Sequence, residues 1–485
     1  MPATKQSLKK QSATKMSLAG RVSGKQKNQE LILQGSLLRA ILALCVPIAL
    51  NSLLQSMYNL TDTYWLGKIG TNPMAAITLI SPLQNIVINF GQGITAAGAI
   101  LMAQFIGGGK KKEANGMVGQ LFLCAMLFAV FCSAACVVSA GAIVGWMGAE
   151  GEIFDLSRTY LSIVILDVPF LFLINLYASV NQAQGDTVRP MLLNIAGILF
   201  NMVLDPLFML KFGWGIAGAA LATLLAKVPS ALVALWLLTR KNQEIFLDLG
   251  HLSFDKEKVL MILKIGLPTA IGSSTMQFGF LLMSKNVYTY GSGAVAAYGI
   301  GNKVNSLVTL PCNAVGSATA TIVGQNMGAK QRDRAETAYK TARRLAVITL
   351  FLGGMVLSRP FVSRFIVSIF SADENVIGMA AQFLRIMALC CWTNGIYNST
   401  MGLFQGTGHT LVTMTIDATR LWVFRFLTLY ICEAVFHMGV QSIWYSVVVS
   451  NASSALILLI CYKLNIWKKE VIHVDRRASG VHAKA

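Results

Sequence analysis

From residue 38 onward the chain alternates long apolar runs with short polar turns. Each run reaches the roughly 20 residues that a helix needs to cross a bilayer. The runs predict helices over 38–66, 75–105, 116–146, 156–180, 188–210 and 216–239, and a second set over 259–284, 293–325, 338–366, 376–401, 409–433 and 438–463. Many exceed one span, which predicts tilt or extension into water. Porin strands would instead alternate in segments of about 10 residues. The expected fold is therefore all-α and polytopic, with twelve transmembrane helices in two six-helix bundles.

Several landmarks recur at a constant offset of 221 residues. Pro47 matches Pro268, and Gly70, Ala75 and Ala76 match Gly291, Ala296 and Ala297. Gln104 and Gly107 match Gln325 and Gly328, and Gln184 and Gly185 match Gln405 and Gly406. An even number of helices per half starts both halves on the same side. The repeat is therefore parallel, about an axis along the membrane normal. The organisation expected is a disordered basic tail over 1–35, a bundle over 36–240, a linker over 241–258, a second bundle over 259–465 and a tail over 466–485. The first tail lacks an apolar core and a cleavage site, so it is read as a tail and not a signal peptide.

Composition agrees with the pattern. Hydrophobic residues make up 55% and charged residues 13% of the 485 positions, about half the charged share of a soluble domain. Mean hydropathy is +0.60. With the N-terminus inside, 29 of the 40 lysines and arginines fall on the inner side. That asymmetry predicts cytoplasmic termini in a multi-pass cell-membrane protein. It also accounts for the net charge of +19 without a nucleic-acid partner. The nine cysteines lie in apolar stretches with no C-x-x-C pair, which suits small hydrophobes better than disulfides or metal ligands.

Polar residues inside the apolar runs carry the candidate chemistry. Gln55, Asn59 and Asp62 share a face of the first helix; Asn85, Asn89 and Gln92 do so on the second, and Asn194, Asn201 and Asp205 on the fifth. A carboxylate at bilayer depth costs about 2.5–3.5 kcal/mol on insertion scales and persists only beside water or partners. Helix directions put Asp62, Asp205, Tyr160 and Thr223 near one level, where Asp62 and Asp205 are expected to titrate as a coupled pair. Pro206 is expected to bend the fifth helix and free the carbonyl of Met202. The second half lacks this chemistry, since Met283, Trp422 and Phe426 stand where the repeat puts Asp62, Asn201 and Asp205. It keeps neutral stripes: Asn394, Asn398, Met401 and Gln405 on one helix, Ser273 and Gln277 on another. These suit substrate contact or helix–helix hydrogen bonds. Asp167 either lines the cavity or pairs with Lys227 or Lys303. Asp417 and Arg420 are expected to neutralise each other, and Arg425 to snorkel or bond carbonyls.

Gly107 to Lys112 is glycine-rich and basic but lacks the P-loop pattern. Neither H-E-x-x-H nor G-x-S-x-G occurs. His251, His409, His437, His473 and His482 fall in loops, tails or helix ends. An enzyme is not expected, nor any cofactor or metal.

Over residues 38–465 the chain resembles the multidrug and toxic compound extrusion family. The resemblance is carried by P-I-A-L-N-S-L-L-Q-S-M-Y-N-L-T-D-T-Y-W-L-G at 47–67, N-M-V-L-D-P at 201–206, Gln184 with Gly185, and A-V-A-A-Y-G-I-G-N-K-V-N-S-L at 294–307. It implies a V-shaped pair of bundles and export coupled to inward H+ or Na+. The branch with its cation site in the first half is the better match. It implies a cation site at Asp62, Asn201, Asp205 and Thr223, with Tyr160 nearby and Gln55, Tyr58 and Asn59 lining the cavity. Asp167 departs from the small residue the resemblance leads one to expect before Val168 and Pro169. The function expected is a monomeric antiporter exporting small organic, cationic or amphiphilic compounds. Asp167, Gln277, Asn394 and Asn398 are added as candidate cavity residues. The alternative is a flippase for a lipid-linked oligosaccharide, whose cavity would be cationic where this first half is acidic.

Overall fold

The computed structural model describes residues 27–241 and 243–472. These form α1 (Leu37–Ile69), α2 (Thr71–Gly107), α3 (Lys111–Trp146), α4 (Gly151–Ala183), α5 (Val188–Lys211) and α6 (Gly215–Thr239), then α7 (Lys256–Tyr288), α8 (Ser292–Gly328), α9 (Arg332–Leu357), α10 (374–406), α11 (410–434) and α12 (Gln441–Lys463). No strand occurs among the described residues. The first eight helices and the last are each long and apolar enough to cross a bilayer. The other three are interrupted, which the apolar pattern does not signal. After Leu357 the chain turns by 83° into a short helix, Pro360–Ser368. Pro360 stands at its first turn, where a missing N–H costs nothing. The single helix expected over 338–366 is thus two. Helix α10 bends by 55° between Cys390 and Trp392. Helix α4 tightens into a 3-10 turn at Ile165–Asp167, just before Pro169.

The repeat is visible in the connections. One residue, Gly70, joins α1 to α2, with φ of 140°; Gly291 precedes α8 with φ of 91°. A side chain rarely adopts such values. Within each half the first helix packs on the fifth, α1 on α5 and α7 on α11. Between the halves α1 meets α8 and α2 meets α7, the exchange a two-fold axis requires. Close packing uses ring-into-glycine contacts, as membrane helix interfaces favour small residues. A Cβ on Gly91 would fall within the Phe172 ring, and one on Gly301 within the Phe383 ring.

At one end the halves are clamped together. The Gln104 side-chain amide donates to the Gly406 carbonyl (2.9 Å), and that of Gln325 to the Ala183 carbonyl (2.7 Å). Gly107 and Gly328 each lie so close to the opposite helix that a Cβ would sit 1.9 Å from the carbonyl oxygen of Gln325 or Gln104. The segment before α1 reinforces this seam, so the disordered tail expected through residue 35 is corrected for 27–35. Residues 27–33 are helical. Asn28 Nδ2 donates to the Gly185 carbonyl of one half, and the Arg334 guanidinium donates to the carbonyls of Leu31, Ile32 and Gly35 from the other. Ile32 is buried beneath it. The polar character of this segment serves backbone capture rather than solvation. Residues 1–26 and 473–485, with His473 and His482, lie outside the described residues.

The linker is also fixed. Asn115 and Gln120 of α3 hydrogen-bond the backbone at Glu244, Phe246, Ser253 and Asp255. Ile245 and Leu247 are buried. Asp255 then caps α7 by accepting from the N–H groups of Glu257 and Lys258, the usual device for free first-turn donors.

Candidate functional site

A cavity of about 480 Å³ lies inside the first half, between α1, α2, α4, α5 and α6. Helical spacing explains its polar wall. Gln55 and Tyr58 are three apart on α1, and Asn194 and Asn201 are two turns apart on α5, so each pair projects from one face. All four line the cavity with Thr223 and Lys227 of α6. Asn194 donates to Asn51 (2.7 Å), tying α5 to α1.

The carboxylates sit behind this wall. Asp205 is fully buried and accepts from Asn201 Nδ2 at 3.2 Å. Its other oxygen, Asp205 Oδ2, has no hydrogen-bond partner, and neither has Asn201 Oδ1. Asp62, Asp205, Tyr58 and Tyr160 lie within electrostatic reach of one another, with the Tyr58 hydroxyl against Thr223. The helix that carries Asp205 continues through Pro206 and then widens into a π turn at Leu207–Lys211.

The residues expected at this site therefore separate into groups. Asp62, Asn201, Asp205, Thr223, Tyr160 and Tyr58 are brought together, and Gln55 joins them along the cavity. Asn59 is exposed and accepts from Gln55 (3.3 Å). Asp167 is fully buried and ion-paired with Lys227, while Asp167 Oδ1 has no partner. Of the two roles open to Asp167, the structure thus shows the pairing. Gln277, Asn394 and Asn398 do not reach the cavity. Gln277 lies exposed on α7, and Asn398 donates to the Asn394 carbonyl one turn earlier (3.0 Å). The Asn398 backbone packs against Gly316 of α8. On α10 the Asn394–Asn398 stripe marks helix packing.

Besides Gln92, already read from the stripe on α2, two further wall residues, Asn175 and Gln182, fall outside the stripes read from spacing. Asn175, Gln182 and Gln92 border this cavity and a second one, of about 360 Å³, between the halves. That second space also touches Ser317, Thr321 and Gln405 of the other half and ends toward the clamped seam. Asn175 and Gln182 are seven apart on α4, a recurrence that a search for helical stripes detects.

The second half departs from expectation at its basic residues. Asp417 accepts from the Tyr397 hydroxyl, while Arg420 donates to Asn451 (3.0 Å) and lies 4.5 Å over the Tyr397 ring. Asp417 and Arg420 stay within electrostatic reach of each other, as expected of the pair, while their direct bonds go to Tyr397 and Asn451. Arg425 does not snorkel: it is 1% exposed and donates from Nε to Ser450 (3.2 Å).

Comparison with known proteins follows the same outline. The MatE family model matches residues 47–207 and 268–431. A probable multidrug resistance protein, YoeA of Bacillus subtilis, is 25% identical over 446 residues, covering 90% of this chain and 96% of that one. The multidrug export protein MepA of Staphylococcus saprophyticus is 23% identical over 433 residues, covering 89% and 95%. Among solved structures, a MATE crystallised in complex with MaL6 superposes with a TM-score of 0.86 at 23% identity, covering 91% of this chain and 98% of that one. A multidrug resistance MATE family transporter in an outward-facing conformation gives 0.85 at 23%, covering 90% and 97%.

Proposed function

Because this chain belongs to the MatE family of multidrug efflux transporters, we propose that it is a secondary antiporter that exports organic cations or amphiphiles in exchange for H+ or Na+, with Asp205 as the coupling carboxylate. One observation carries this reading. Asp205 Oδ2 and Asn201 Oδ1 are buried acceptors with no donor among the described residues. A buried acceptor left unmatched costs about 1–3 kcal/mol, and more if charged. A proton on Asp205 satisfies it, and so does a small cation held between carboxylate, amide and hydroxyl oxygens. Two carboxylates in reach of each other make such an ion worth more, since both cannot ionise cheaply.

The mechanism follows from the shape. The basic loops at 110–112 and 330–344 flank the clamped end, so the positive-inside rule makes that end cytoplasmic. The first-half cavity then faces outward. Ion entry neutralises Asp205 and Asp62, α1 repacks against α5 beside Pro206, the cavity contracts and its cation leaves outward. Opening of the clamped seam releases the ion inward and admits the next compound. Each charge gains about 2.3 kcal/mol per 100 mV of membrane potential, and each pH unit adds about 1.4 kcal/mol per proton. A flippase for an anionic lipid-linked sugar is less well supported, because the cation lining this cavity, Lys227, is paired with Asp167.

Reconstituted efflux under separately imposed pH and Na+ gradients tests the proposal. Transport driven by either gradient, and lost in Asp205→Asn, is expected. Equal transport without any ion gradient would overturn it. Topology has its own check: a cysteine at position 152, in the first turn of α4, should react with an impermeant reagent from outside only.

A further inference from the structure

The second half holds a polar space of about 240 Å³ between α7, α8, α11 and α12. Its chemistry is opposite to that of the first. Arg420, Arg425, Tyr298, Asn302, Asn305 and Asn451 line it, and no carboxylate does. Arg425 is the decisive residue. Its Nη1 is buried with no hydrogen-bond partner, and no carboxylate acts on it among the described residues. Its charge rests 5.4 Å over the Phe280 ring, a weak substitute for an anion. The Tyr298 hydroxyl is a second buried group without a partner. Arginine stays protonated in proteins and cannot escape the cost by losing its charge. Leaving an ionised group buried and unpaired is strongly unfavourable.

Local backbone geometry presents both guanidinium groups. Residues Thr419–Arg425 form a π turn. Its wider pitch brings positions four and five apart onto one face, so Arg420 and Arg425 both border the space. Arg420 is held by Asn451 and by the Tyr397 ring, and Asp417 lies within its electrostatic reach. The uncompensated charge is therefore that of Arg425, flanked by neutral amide and hydroxyl donors.

We propose that this space binds a small organic carboxylate, with the Arg425 fork on its two oxygens and Asn302, Asn305 and Tyr298 as further donors. A planar carboxylate matches a guanidinium in a way a spherical ion does not. The site stands apart from the antiport reading, because its test measures binding and not transport.

The probe is sodium benzoate, titrated into the purified full-length protein by calorimetry. Trp444, whose ring stacks 6.1 Å from that of Tyr298, provides a fluorescence signal from the same place. Saturable benzoate binding is expected, with none for benzyl alcohol, its uncharged counterpart, and no displacement by chloride. Arg425→Gln should weaken binding by about tenfold or more, Arg425→Lys should restore part of it, and Asp205→Asn should leave it unchanged. Should Arg425→Gln not yield folded protein, Asn302→Ala should weaken binding several-fold. Undiminished benzoate binding in Arg425→Gln, or in Asn302→Ala, would overturn the proposal. So would equal binding of benzyl alcohol, or chloride binding that displaces benzoate.

Discussion

The fifth helix of each half, α5 and α11, widens into a π turn, and each turn has a buried ionisable group beside it or within it. In the first half the group is Asp205, immediately before Pro206. In the second it is Arg425, one residue before the repeat equivalent of Asp205, which is Phe426. Around Asp205 gather acceptors in need of a proton or cation. Around Arg425 gather donors in need of an anion. The clamped seam is by contrast nearly symmetric, with Gln104 and Gln325 each reaching a carbonyl of the other half. One frame thus closes the molecule in duplicate while its two interiors differ in sign. The symmetry lies in the seam, and the asymmetry in the polar groups of the two interiors.

The contrast breaks most sharply at the carboxylates. Asp205→Asn should remove the gradient-driven component of efflux, leaving the level of protein-free vesicles, and Asp62→Asn should cut it severely. Phe426→Leu and Met283→Leu, at the repeat partners, should shift only the range of compounds carried. Equal loss from both sets in a reconstituted flux assay would mean that the ion site spans the halves.

Next in size is the Asp167–Lys227 pair, which tests whether the first half needs its buried charges balanced. Breaking such a pair from one side costs about 3–5 kcal/mol. Thermal denaturation in detergent should therefore show Lys227→Met well below the parent protein. The double variant Asp167→Asn, Lys227→Met should recover most of the loss.

Acidification sharpens the comparison further. A unit charge about 6 Å from a bound organic cation is worth roughly 3 kcal/mol at an effective dielectric near 20. The sign follows: an ionised Asp205 attracts the cation and a protonated one does not. Affinity for a cationic dye should fall by on the order of 100-fold at most as acid neutralises the site. Na+ should compete in the same direction. Asp205→Asn should respond much less to either, and an identical response would remove Asp205 from the coupling role.

The smallest effects belong to the symmetric seam. Gly107→Ala and Gly328→Ala each place a Cβ 1.9 Å from a backbone oxygen. Overpacking of this kind typically costs about 1–3 kcal/mol. Both variants should expose a cysteine placed near Gly406 to reagent from the clamped side, and to a similar degree. A response from one and not the other would show the seam to be asymmetric after all.

Apolar length made the spans legible, and the fixed offset made the two halves legible. Helical spacing also groups Asn201 with Asp205, which are in contact at 3.2 Å. What stayed hidden depends on contacts between distant segments. Residues 27–33 look like a solvated tail because their partners, Gly185 and Arg334, are far away in the chain. Arg425 looks like one more helical arginine until its surroundings prove to lack an acid. The bend at Cys391 interrupts a run whose composition never changes, whereas the turn after Leu357 is marked only by Ser358, Arg359 and Pro360, a signal that apolar length alone does not register. Asn394 and Asn398 on α10 form a polar stripe like that of α5, and only the structure shows that they, and the exposed Gln277 on α7, do not line the first-half cavity.

The crossing of α2 and α8 at Gly107 and Gly328 has a mechanical meaning. Both glycines stand at the last residue of a 37-residue helix, so the pivot lies at one extremity of two long arms. At 1.5 Å per residue each arm is about 55 Å long, and a tilt of roughly ten degrees sweeps its free tip by about 10 Å. The hinge itself need shift only by the width of a hydrogen bond. In the transport cycle proposed above, the missing side chains would set a gear ratio, by which the breaking of two amide contacts at the pivot would open the far end of the arms.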